Sequence, residues 1–503
     1  MTRHVEVRSG QYHDSVALMQ TSRALSTVDG VTAALVAMAT ELNLELLAGM
    51  GFDVPEAGPN DLVVAVDCAD AATLEHAFQE LTDKLAGRSG PGTGSLDGQL
   101  PAAPTAGTAL RRSAATLVLV SVPGASAYVE ALDALLADRH VMVFSDNVPV
   151  HEEIALKEEG ARRGLLVMGP DCGTAIVQGV ALGFANVVRP GAVGIVAASG
   201  TGAQQVSCLL DAAGLGVSHL LGVGGRDLSA DVGGLATVQA LRMLAADPAT
   251  ERIVVVSKPA AAEVARRVAG VAAGLGKPVH MAVLGTGEPD LTAATEQVLS
   301  AVGVAVPTWP VVRPTPPTAP KAPKAGRLAG LFAGGTLAAE ALVIAARLGA
   351  VRSNIGTDAD LEPAELHAEA AVAGHLVVDF GDDALTAGRP HPMIDPALRL
   401  ESLARLGRDP TTAVVVLDVV LGYAADPDPA ASLGPAIDAV RRAAAADGRE
   451  LAVIVSLCGT EADPQSWSAQ AARLGEAGAE VYLSNAAAAR RAVALAAGNG
   501  DAP

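Results

Sequence analysis

Apolar and polar residues alternate along the chain in segments of two kinds. Short apolar runs, such as "DLVVAVDC" at 61–68 and "HVMVFSD" at 140–146, have the length and composition of buried strands. Longer segments with apolar residues three and four positions apart, such as "ATLEHAFQELTDKL" at 72–85, are typical of amphipathic helices. Because strands and helices take turns along most of the chain, the pattern predicts an α/β fold, with parallel sheets from residue 113 onward.

Two breaks in this pattern divide the chain. A stretch rich in Gly, Pro, Ser and Thr at 89–112 and a Pro-rich stretch at 306–326 predict linkers. The predicted folded units are a small N-terminal α/β unit at 1–88, a Rossmann-like domain at 113–190, and two further α/β domains at 191–305 and 327–503. The N-terminal unit is predicted to contain three strands, each followed by a helix.

The last two domains look like copies of one unit. Gly200 of "ASGT" is followed 14 residues later by Gly214, and Gly335 of "AGGT" is followed 14 residues later by Gly349. The segments "DPATERIVVVS" and "DPTTAVVVLD" continue the parallel, but the second copy has about 27 more residues before its "DP". That insertion contains "GRPHPMID" at 388–395, so the pattern predicts a duplicated domain with one functional insertion.

Each copy carries a small-residue turn between a strand and a helix. The N–H groups that begin a helix lack partners, and glycine lets an anion approach them. The predicted phosphate- or carboxylate-binding residues are Ser199, Gly200, Thr201, Gly202, Gly334, Gly335 and Thr336. The alternative is that the hydroxyls only cap helices and the glycines only allow close packing. Two such turns in matched repeats favour a shared anion site.

Three further residues are predicted to be catalytic. Arg226 follows the Gly turn "GVGG", where its guanidinium is able to clamp an anion. Arg389 and His391 lie in "GRPHPMIDP", which its prolines hold extended, and they are suited to anion binding and proton transfer. The alternatives are a solvated loop at Arg226 and a structural turn with exposed polar side chains at 388–395.

Additional candidates for substrate or CoA binding lie on loops, most of them at the carboxyl ends of predicted strands, where ligands of parallel sheets usually bind. They are Ser121, Pro123, Asp146, Asn147, Asp171, Cys172, Gly224, Gly225, Asp227 and Asp395. For Cys172 the alternative is a small packing residue, because nothing around it indicates a reactive thiolate.

The composition limits the kinds of molecule that the chain is expected to bind. The net charge of −20 disfavours nucleic acid and anionic membranes but permits a small anion bound by local N–H groups. The four cysteines are scattered without a CxxC pair, which predicts neither a disulfide framework nor a metal site. With no apolar signal segment or membrane-spanning run, the expected location is the cytoplasm.

Several motifs resemble those of a known superfamily. "SVPG", "GPDCG", "VGIVAASGT" and "GVGGRD" follow the order of the α-subunit of succinyl-CoA synthetase. "AGGT", "DPTTAVVVL" and "VSLCGTE" resemble the ligase half of the β-subunit of that enzyme, so that the resemblance covers roughly 113–498. The fused layout together with "SDNVPV", "MGPDCGTAI" and "GRPHPMIDP" resembles the FdrA family within this superfamily.

The resemblance implies a CoA-binding-like Rossmann domain and two flavodoxin-like ligase domains, with phosphate held between the helices that begin at "SGTG" and "AGGT". It also implies one subunit of an oxamate carbamoyltransferase of allantoin and purine breakdown, which converts oxalurate and phosphate to oxamate and carbamoyl phosphate. The implied ligands are phosphate, an acyl or carbamoyl phosphate, and CoA as a further candidate. The implied partners are other subunits of a hetero-oligomer.

The chain departs from the synthetases at several points. The loop after "GKPV" lacks their phosphorylated histidine, and Ser257, Lys258 and Pro259 stand where they carry a glutamate motif. Neither an ATP-grasp domain nor their Gly-rich CoA-contacting loop is recognisable. His280 falls within a predicted strand, too early for that role. Two alternatives to the carbamoyltransferase therefore remain, namely an acyl-CoA synthetase and a non-catalytic scaffold with the ligase fold.

Overall fold

The structure is a computed structural model that describes residues 2–11, 13, 15–53, 55–59, 61–86, 103, 105–314, 325–355, 361, 374–386 and 390–498. These residues form a mixed α/β fold with four sheets, as the alternating pattern predicts. Across the described residues, no helix has both the length and the apolar character needed to cross a bilayer.

The N-terminal unit is a three-stranded antiparallel sheet with helices on both faces. Its strands are β1 (Thr2–Arg8), β2 (Val31–Met38) and β3 (Leu62–Cys68), and its helices are α1 (Ser15–Ser26), α2 (Glu41–Gly49) and α3 (Ala71–Ala86). Strand β3 lies in the centre, because both β1 and β2 pair with it. All six predicted elements are present. The completely buried side chains of β3 explain its uninterrupted apolar sequence.

A small parallel sheet follows. It contains β4 (Leu117–Val120), β5 (His140–Val143) and β6 (Val167–Met168), with helices α4 (Ala106–Leu110), α5 (Gly124–Leu136) and α6 (Val150–Arg163). Helix α4 lies within the predicted linker 89–112, so that prediction is wrong for these five residues. Thr105 caps the helix, Asp133 accepts a hydrogen bond from Gly107 N at 2.6 Å, and Leu110 is buried. Residues 89–102 of that linker lie outside the described residues.

The first ligase-type domain has a six-stranded sheet in the order β12-β11-β9-β10-β7-β8. Its strands are β7 (Thr174–Val177), β8 (Val180–Gly183), β9 (Pro190–Ala198), β10 (Val217–Gly222), β11 (Arg252–Ser257) and β12 (Val279–Val283). Its helices are α7 (Gly200–Ala212), α8 (Leu235–Ala246), α9 (Ala262–Ala273) and α10 (Leu291–Ala301). The hairpin β7-β8 precedes the predicted start at 191, yet it joins this sheet because Ile176 pairs with Leu220 and is buried in the same core.

The second ligase-type domain has a seven-stranded sheet in the order β13-β19-β18-β17-β14-β16-β15. Its strands are β13 (Val311–Val312), β14 (Arg327–Phe332), β15 (Val351–Ser353), β16 (His375–Asp379), β17 (Thr412–Val420), β18 (Ala452–Cys458) and β19 (Glu480–Tyr482). Its helices are α11 (Gly335–Ala345), α12 (Asp383–Thr386), α13 (Ala397–Arg408), α14 (Pro429–Ala446), α15 (Trp467–Glu476) and α16 (Asn485–Ala496), with a 3₁₀ turn at Ala346–Leu348.

The predicted linker 306–326 is also partly structured. Val311 and Val312 pair with Tyr482 and Val481, so this strand closes one edge of the second sheet. Residues 315–324 of the linker lie outside the described residues.

Three adjacent strands follow the same order in the two repeats, but the strands beside them differ. Strands β12, β11 and β9 correspond to β18, β17 and β14. In the first repeat β10 pairs directly with β9, whereas in the second repeat β16 lies between β14 and β15. Both β15 and β16 lie between Gly335 and the "DP" of the second repeat, whereas β10 is the only strand in the matching interval of the first repeat. The longer second repeat therefore has one more strand in this interval, and not only a longer surface loop.

Buried polar contacts hold the two ligase-type domains together. Asn186 Nδ2 donates to Asp463 Oδ2 at 2.8 Å, and Gln205 Nε2 donates to Leu483 O at 3.0 Å. Glu340 accepts hydrogen bonds from Leu291 N and from Asn485 Nδ2, each at 2.7 Å. One continuous apolar core includes residues of both domains, which brings α7 against α11.

Candidate anion-binding site

The N-termini of α7 and α11 meet. Ser199, which caps α7, and Thr336, in the first turn of α11, are both buried. Their side-chain oxygens lie 2.5 Å apart, and Ser199 Oγ also accepts a hydrogen bond from Gly202 N at 3.0 Å. The structure thus brings together the two turns that the sequence singles out.

Glycine makes this approach possible. A Cβ on Gly334 would lie 2.8 Å from Thr201 Oγ1, and a Cβ on Gly202 would lie 2.9 Å from Thr336 Cγ2. These two glycines are buried, whereas Gly200 is exposed and Thr201 and Gly335 are half-buried. The accessible part of the paired turns is therefore Gly200, Thr201 and Gly335.

Two charged side chains, Lys258 and Asp379, lie at Gly335. A Cβ on Gly335 would lie 2.7 Å from Lys258 Nζ and would collide with Asp379 Oδ2. Lys258 follows β11 of the first domain and Asp379 ends β16 of the second, so each domain supplies one of the charges. Over the described ranges of the chain, Lys258 Nζ has no hydrogen-bond or ion-pair partner.

Negative charge at this site only partly balances the positive charge. Burial raises the pKa of Asp379 to about 7, while Lys258 opposes that rise. Asp379 Oδ1 accepts a hydrogen bond from Gly381 N at 2.9 Å. The ammonium group of Lys258 and the positive ends of two helix dipoles therefore face an aspartate that is close to half protonated at neutral pH.

A buried pair beneath the second turn holds its backbone. Asp418 of β17 accepts hydrogen bonds from Ala333 N at 2.7 Å and Gly334 N at 2.8 Å, and Arg399 Nη2 donates to Asp418 Oδ1 at 3.1 Å. Burial raises the pKa of Asp418, and Arg399 opposes this. The predicted ligand-binding role of Gly334 is therefore wrong for its N–H group, which is used inside the protein. The N–H groups of Gly335 and Thr336 have no acceptor within the helix.

His391 lies beside the same cluster. A Cβ on Gly381 would lie 2.8 Å from His391 Nε2 and 3.1 Å from Asp379 Oδ1. His391 Nδ1 accepts a hydrogen bond from Met393 N at 3.2 Å, which places the proton of the neutral ring on Nε2. Burial, with a contribution from Arg399, lowers the pKa of His391 to about 4, so the ring is neutral at pH 7. The second ligase-type domain thus supplies both Asp379 and His391.

The other two predicted catalytic residues are arginines. Arg389 lies outside the described residues. Arg226 donates to Val148 O at 2.7 Å and pairs with Glu153 at 3.0 Å, so it ties the Gly turn after β10 to helix α6. The guanidinium of Arg226 thus lies at the neighbouring small sheet and not at the paired turns, and its catalytic role stays a prediction.

Asp227 and Asp395 have structural partners. Asp227 is fully buried, pairs with Lys157 at 2.8 Å and accepts hydrogen bonds from the backbone and hydroxyl of Thr237. Asp395 Oδ1 accepts a hydrogen bond from Ala397 N at 3.0 Å at the start of α13. The buried Asp227 therefore does not match the predicted substrate-binding role, whereas the role of Asp395 stays a prediction.

The remaining candidates lie on loops that contact one another at the carboxyl ends of β4, β5, β6 and β10. They are Ser121, Pro123, Asp146, Asn147, Asp171, Cys172, Gly224 and Gly225. A Cβ on Gly224 would collide with Pro170 O, and one on Gly124 would collide with Asp146 O, so contacts between the loops account for these glycines. Cys172 is buried, and burial raises the pKa of its thiol to about 12, which matches the packing alternative.

Sequence reasoning missed the central charged residues of the site. The missed residues are Lys258, Asp379, Arg399 and Asp418. The signal for three of them is a charged residue within or directly after an apolar strand, as in "VVVSK", "LVVD" and "VVVLD". Arg399 carries no such signal, because it is one of several arginines in α13.

Two parts of the chain match known family models. Residues 331–495 match the family model described as CoA-ligase, and residues 1–99 match the model described as AllF, heavy metal-associated domain. The chain is 38% identical over 499 residues to the uncharacterized protein YahF of Escherichia coli strain K12, covering 95% of each chain. It therefore belongs to the same family as YahF, within the CoA-ligase superfamily.

More distant relatives match parts of the chain. It is 32% identical over 149 residues to the mitochondrial succinate–CoA ligase [ADP-forming] subunit alpha-2 of Trichomonas vaginalis, covering 29% of this chain and 46% of that protein. It is 28% identical over 174 residues to the corresponding alpha subunit of Methanothermobacter thermautotrophicus, covering 34% and 58%. The matched regions thus span about half the length of these ligase subunits.

Among solved structures, the dinucleotide-forming acetyl-coenzyme A synthetase 1 of Ca. Korarchaeum cryptofilum aligns with 80% of this chain and 87% of its own. The sequence identity is 16% and the TM-score is 0.31. This overlap carries no argument about function.

The described side chains of the N-terminal unit do not fit a metal, although the family description names one. Cys68 is the only cysteine in residues 1–99. It is buried, its Sγ donates to Thr2 O at 3.4 Å and Asp70 O at 3.3 Å, and burial raises the pKa of the thiol. Across the described parts of the chain, no group of three or more His, Cys, Asp or Glu residues is arranged to hold a metal ion.

Proposed function

We propose that this chain is a phosphate-binding subunit of a group-transfer enzyme, and that phosphate or an acyl phosphate binds at the joined N-termini of α7 and α11. The observation that carries the proposal is the position of Lys258 Nζ at Gly335, where the two turns open to solvent. A cation near the positive ends of two helices is stabilised when an anion lies between them. The buried Asp379 supplies only part of that negative charge, because its pKa is about 7.

The groups that would bind phosphate are the first N–H groups of α7, those of Gly335 and Thr336, and the ammonium of Lys258. Backbone N–H groups and a lysine are a common combination for phosphate oxygens. Ser199 and Thr336 set the distance between the two helix ends through their hydroxyl contact. The site is thus built in advance of binding, which reduces the entropic cost of ordering it.

The specific reaction proposed is carbamoyl transfer from oxalurate to phosphate. A phosphate oxygen attacks the carbamoyl carbon of oxalurate, the bond from that carbon to the oxamate nitrogen breaks, and the nitrogen takes up one proton. The products are carbamoyl phosphate and oxamate. Support comes from the motifs "SDNVPV" and "GRPHPMIDP" and from the neutral His391 and near-neutral Asp379 beside the anion site, which are suited to proton transfer. Other subunits are proposed to complete the enzyme.

A second candidate function is acyl-CoA ligation. The partial similarity to alpha subunits of succinate–CoA ligases favours it. The absence of a histidine in the loop after "GKPV" and the tightly packed loops around Gly224 argue against it. The third candidate is a scaffold that binds an anion or another subunit without catalysis.

Phosphate binding is tested first, by calorimetry on the full chain. The variant Lys258→Gln removes the charge at Gly335, and Lys84→Gln, at an exposed position of α3, is the matched control. We expect Lys258→Gln to weaken phosphate binding by roughly tenfold or more, as for the loss of a charge-assisted hydrogen bond. Equal binding by both variants, or no binding by the natural chain, would refute the proposed site.

The reaction is tested with the chain alone and in complex with co-purified subunits. Release of carbamoyl phosphate from oxalurate and phosphate supports the transferase. Formation of an acyl-CoA from an acid, CoA and ATP supports the ligase and contradicts the transferase. Phosphate binding without either reaction in any complex leaves the scaffold as the function.

A further inference from the structure

One face of α1 in the N-terminal unit contacts the second ligase-type domain. Gln20 Nε2 donates to Ala424 O at 3.0 Å, and Arg23 Nη2 pairs with Asp426 Oδ2 at 2.7 Å. Arg23 Nη1 donates a further hydrogen bond to Ile394 O. Met19, on the same helix, packs against the core shared by the ligase-type domains. The N-terminal unit is therefore docked onto the segment around the insertion.

These contacts reach the turn that carries His391. Ile394 N donates a hydrogen bond to His391 O at 2.8 Å and so closes the turn. Arg23 binds the carbonyl group of this same residue. Asp426 N donates to Met393 O at 2.8 Å, which ties the other acceptor of Arg23 to the same turn. The Asp426 side chain is largely buried. Arg23 thus connects Ile394 and Asp426, and both of these residues hydrogen-bond to the turn at residues 391–394.

An arginine is suited to this bridge. Its planar fork presents donors in two directions, and here one reaches a carbonyl while the other reaches a carboxylate. A lysine presents a single ammonium, which would satisfy one acceptor well and leave the other weakly bound. The contact therefore depends on the guanidinium and not on positive charge alone.

The described residues of the N-terminal unit offer no set of side chains suited to a metal ion. Its only cysteine is buried and hydrogen-bonded to two carbonyl groups, and its described residues hold no cluster of metal-ligating side chains. What the unit does present to the rest of the chain is the docking face of α1.

We propose that the N-terminal unit acts as a clamp on the His391 turn and not as a metal carrier, with Arg23 as the positioning residue. The clamp sets where His391 lies relative to Asp379 and Gly335. The use of His391 in proton transfer rests on the proposed function, but the clamp itself does not.

The test compares three variants of the full chain, Arg23→Gln, Arg23→Lys and Arg8→Gln. Arg8 is the matched control, because its side chain is 23% exposed, as is that of Arg23, and its ion pair with Glu6 stays within the N-terminal unit. Hydrogen exchange is measured at the amides of His391, Met393, Ile394 and Asp395. We expect exchange to rise roughly tenfold in Arg23→Gln, less in Arg23→Lys, and not at all in Arg8→Gln.

The second readout is the pKa of the His391 ring, followed by NMR and assigned with His391→Gln. The natural chain should titrate near 4 and Arg23→Gln at a higher pH, because a loosened turn exposes the ring to water. Equal exchange and an equal pKa in Arg23→Gln and Arg8→Gln would overturn the proposal. If Arg23→Gln does not fold, the same comparison is made with Arg23→Lys.

Neither readout requires phosphate. A chain that shows the clamp but binds no phosphate therefore refutes the proposed function alone. A chain that binds phosphate with an unaltered His391 turn in both Arg23 variants refutes the clamp alone.

Discussion

Ser199 Oγ and Thr336 Oγ1 lie 2.5 Å apart, so a hydrogen bond joins the first turns of two helices from different domains. Ser199 also caps its own helix through Gly202 N. One hydroxyl group thus serves both the start of α7 and the contact with α11. Any change at this pair is expected to alter the stability of the helix and the distance between the two turns together.

The first prediction concerns this hydroxyl pair. Thr336→Val keeps the shape of the side chain and removes the hydroxyl, which leaves the buried Ser199 without its partner. We expect the free energy of unfolding to fall by about 1–2 kcal/mol, the usual cost of an unsatisfied buried polar group. Calorimetric melting checks this, with Thr336→Ser as the control that keeps the hydroxyl. A melting temperature of Thr336→Val equal to that of the natural chain would contradict the expectation.

The second prediction concerns the glycine at the mouth of the site. Gly335→Ala places a methyl group against Asp379 and Lys258, so we expect phosphate affinity to fall by roughly tenfold or more through displacement of both charges. Gly270→Ala is the control, because a Cβ there meets nothing within 4 Å in helix α9. The control should bind phosphate normally and gain about 0.5–1 kcal/mol of helix stability. Normal phosphate binding by Gly335→Ala would show that the anion lies elsewhere.

The third prediction concerns the pH dependence of phosphate binding. Burial raises the pKa of Asp379 to about 7, so this group is neutral below that pH and a carboxylate above it. The carboxylate repels a bound anion, so the phosphate affinity of the natural chain relative to that of Asp379→Asn should fall as the pH rises through 7. Asp379→Asn removes this titration, so its affinity should exceed that of the natural chain only above about pH 7. Parallel curves for the two proteins between pH 6 and 8.5 would rule out contact between Asp379 and the anion.

The fourth prediction concerns the interface of the two ligase-type domains. Burial raises the pKa of Glu340 to about 7 from 4.5, so the folded chain keeps a proton that the unfolded chain has lost. The contribution of Glu340 to stability is complete below about pH 4.5 and is lost as the pH rises through 7. Melting temperatures between pH 5 and 8 should therefore fall less in Glu340→Gln than in the natural chain. Glu401→Gln, at an exposed position of α13, should leave the pH dependence unchanged.

Local sequence patterns predict the helices and strands of the N-terminal unit, but they do not predict which strands pair with each other in every sheet. The alternation of apolar strands and amphipathic helices predicts all six elements of the N-terminal unit and the paired turns at Gly200 and Gly335. It does not predict that β16 lies between β14 and β15, or that β7 and β8 join the sheet of the next domain. An apolar run shows that a strand is buried, whereas its partners depend on distant segments.

The same limit applies to the site. His391 was predicted to be functional from its Pro-rich surroundings, and the structure places it beside Asp379. Arg226, predicted from an equally suggestive Gly turn, is instead engaged by Val148 and Glu153. Lys258 and Asp379 lie 121 positions apart in the sequence and meet only because strands β11 and β16 end on the same side of the domain interface. No local motif records such a meeting.

The joined turns belong to one polypeptide, and this has a consequence for how the site responds to dilution. In a protein assembled from separate α- and β-type chains, the two turns would part when the concentration falls below the dissociation constant of the chains. Here the peptide connection between the domains gives each turn a high effective concentration of the other. The two halves are also made in a fixed one-to-one ratio. The pairing of the two turns therefore does not depend on how much of the protein is present.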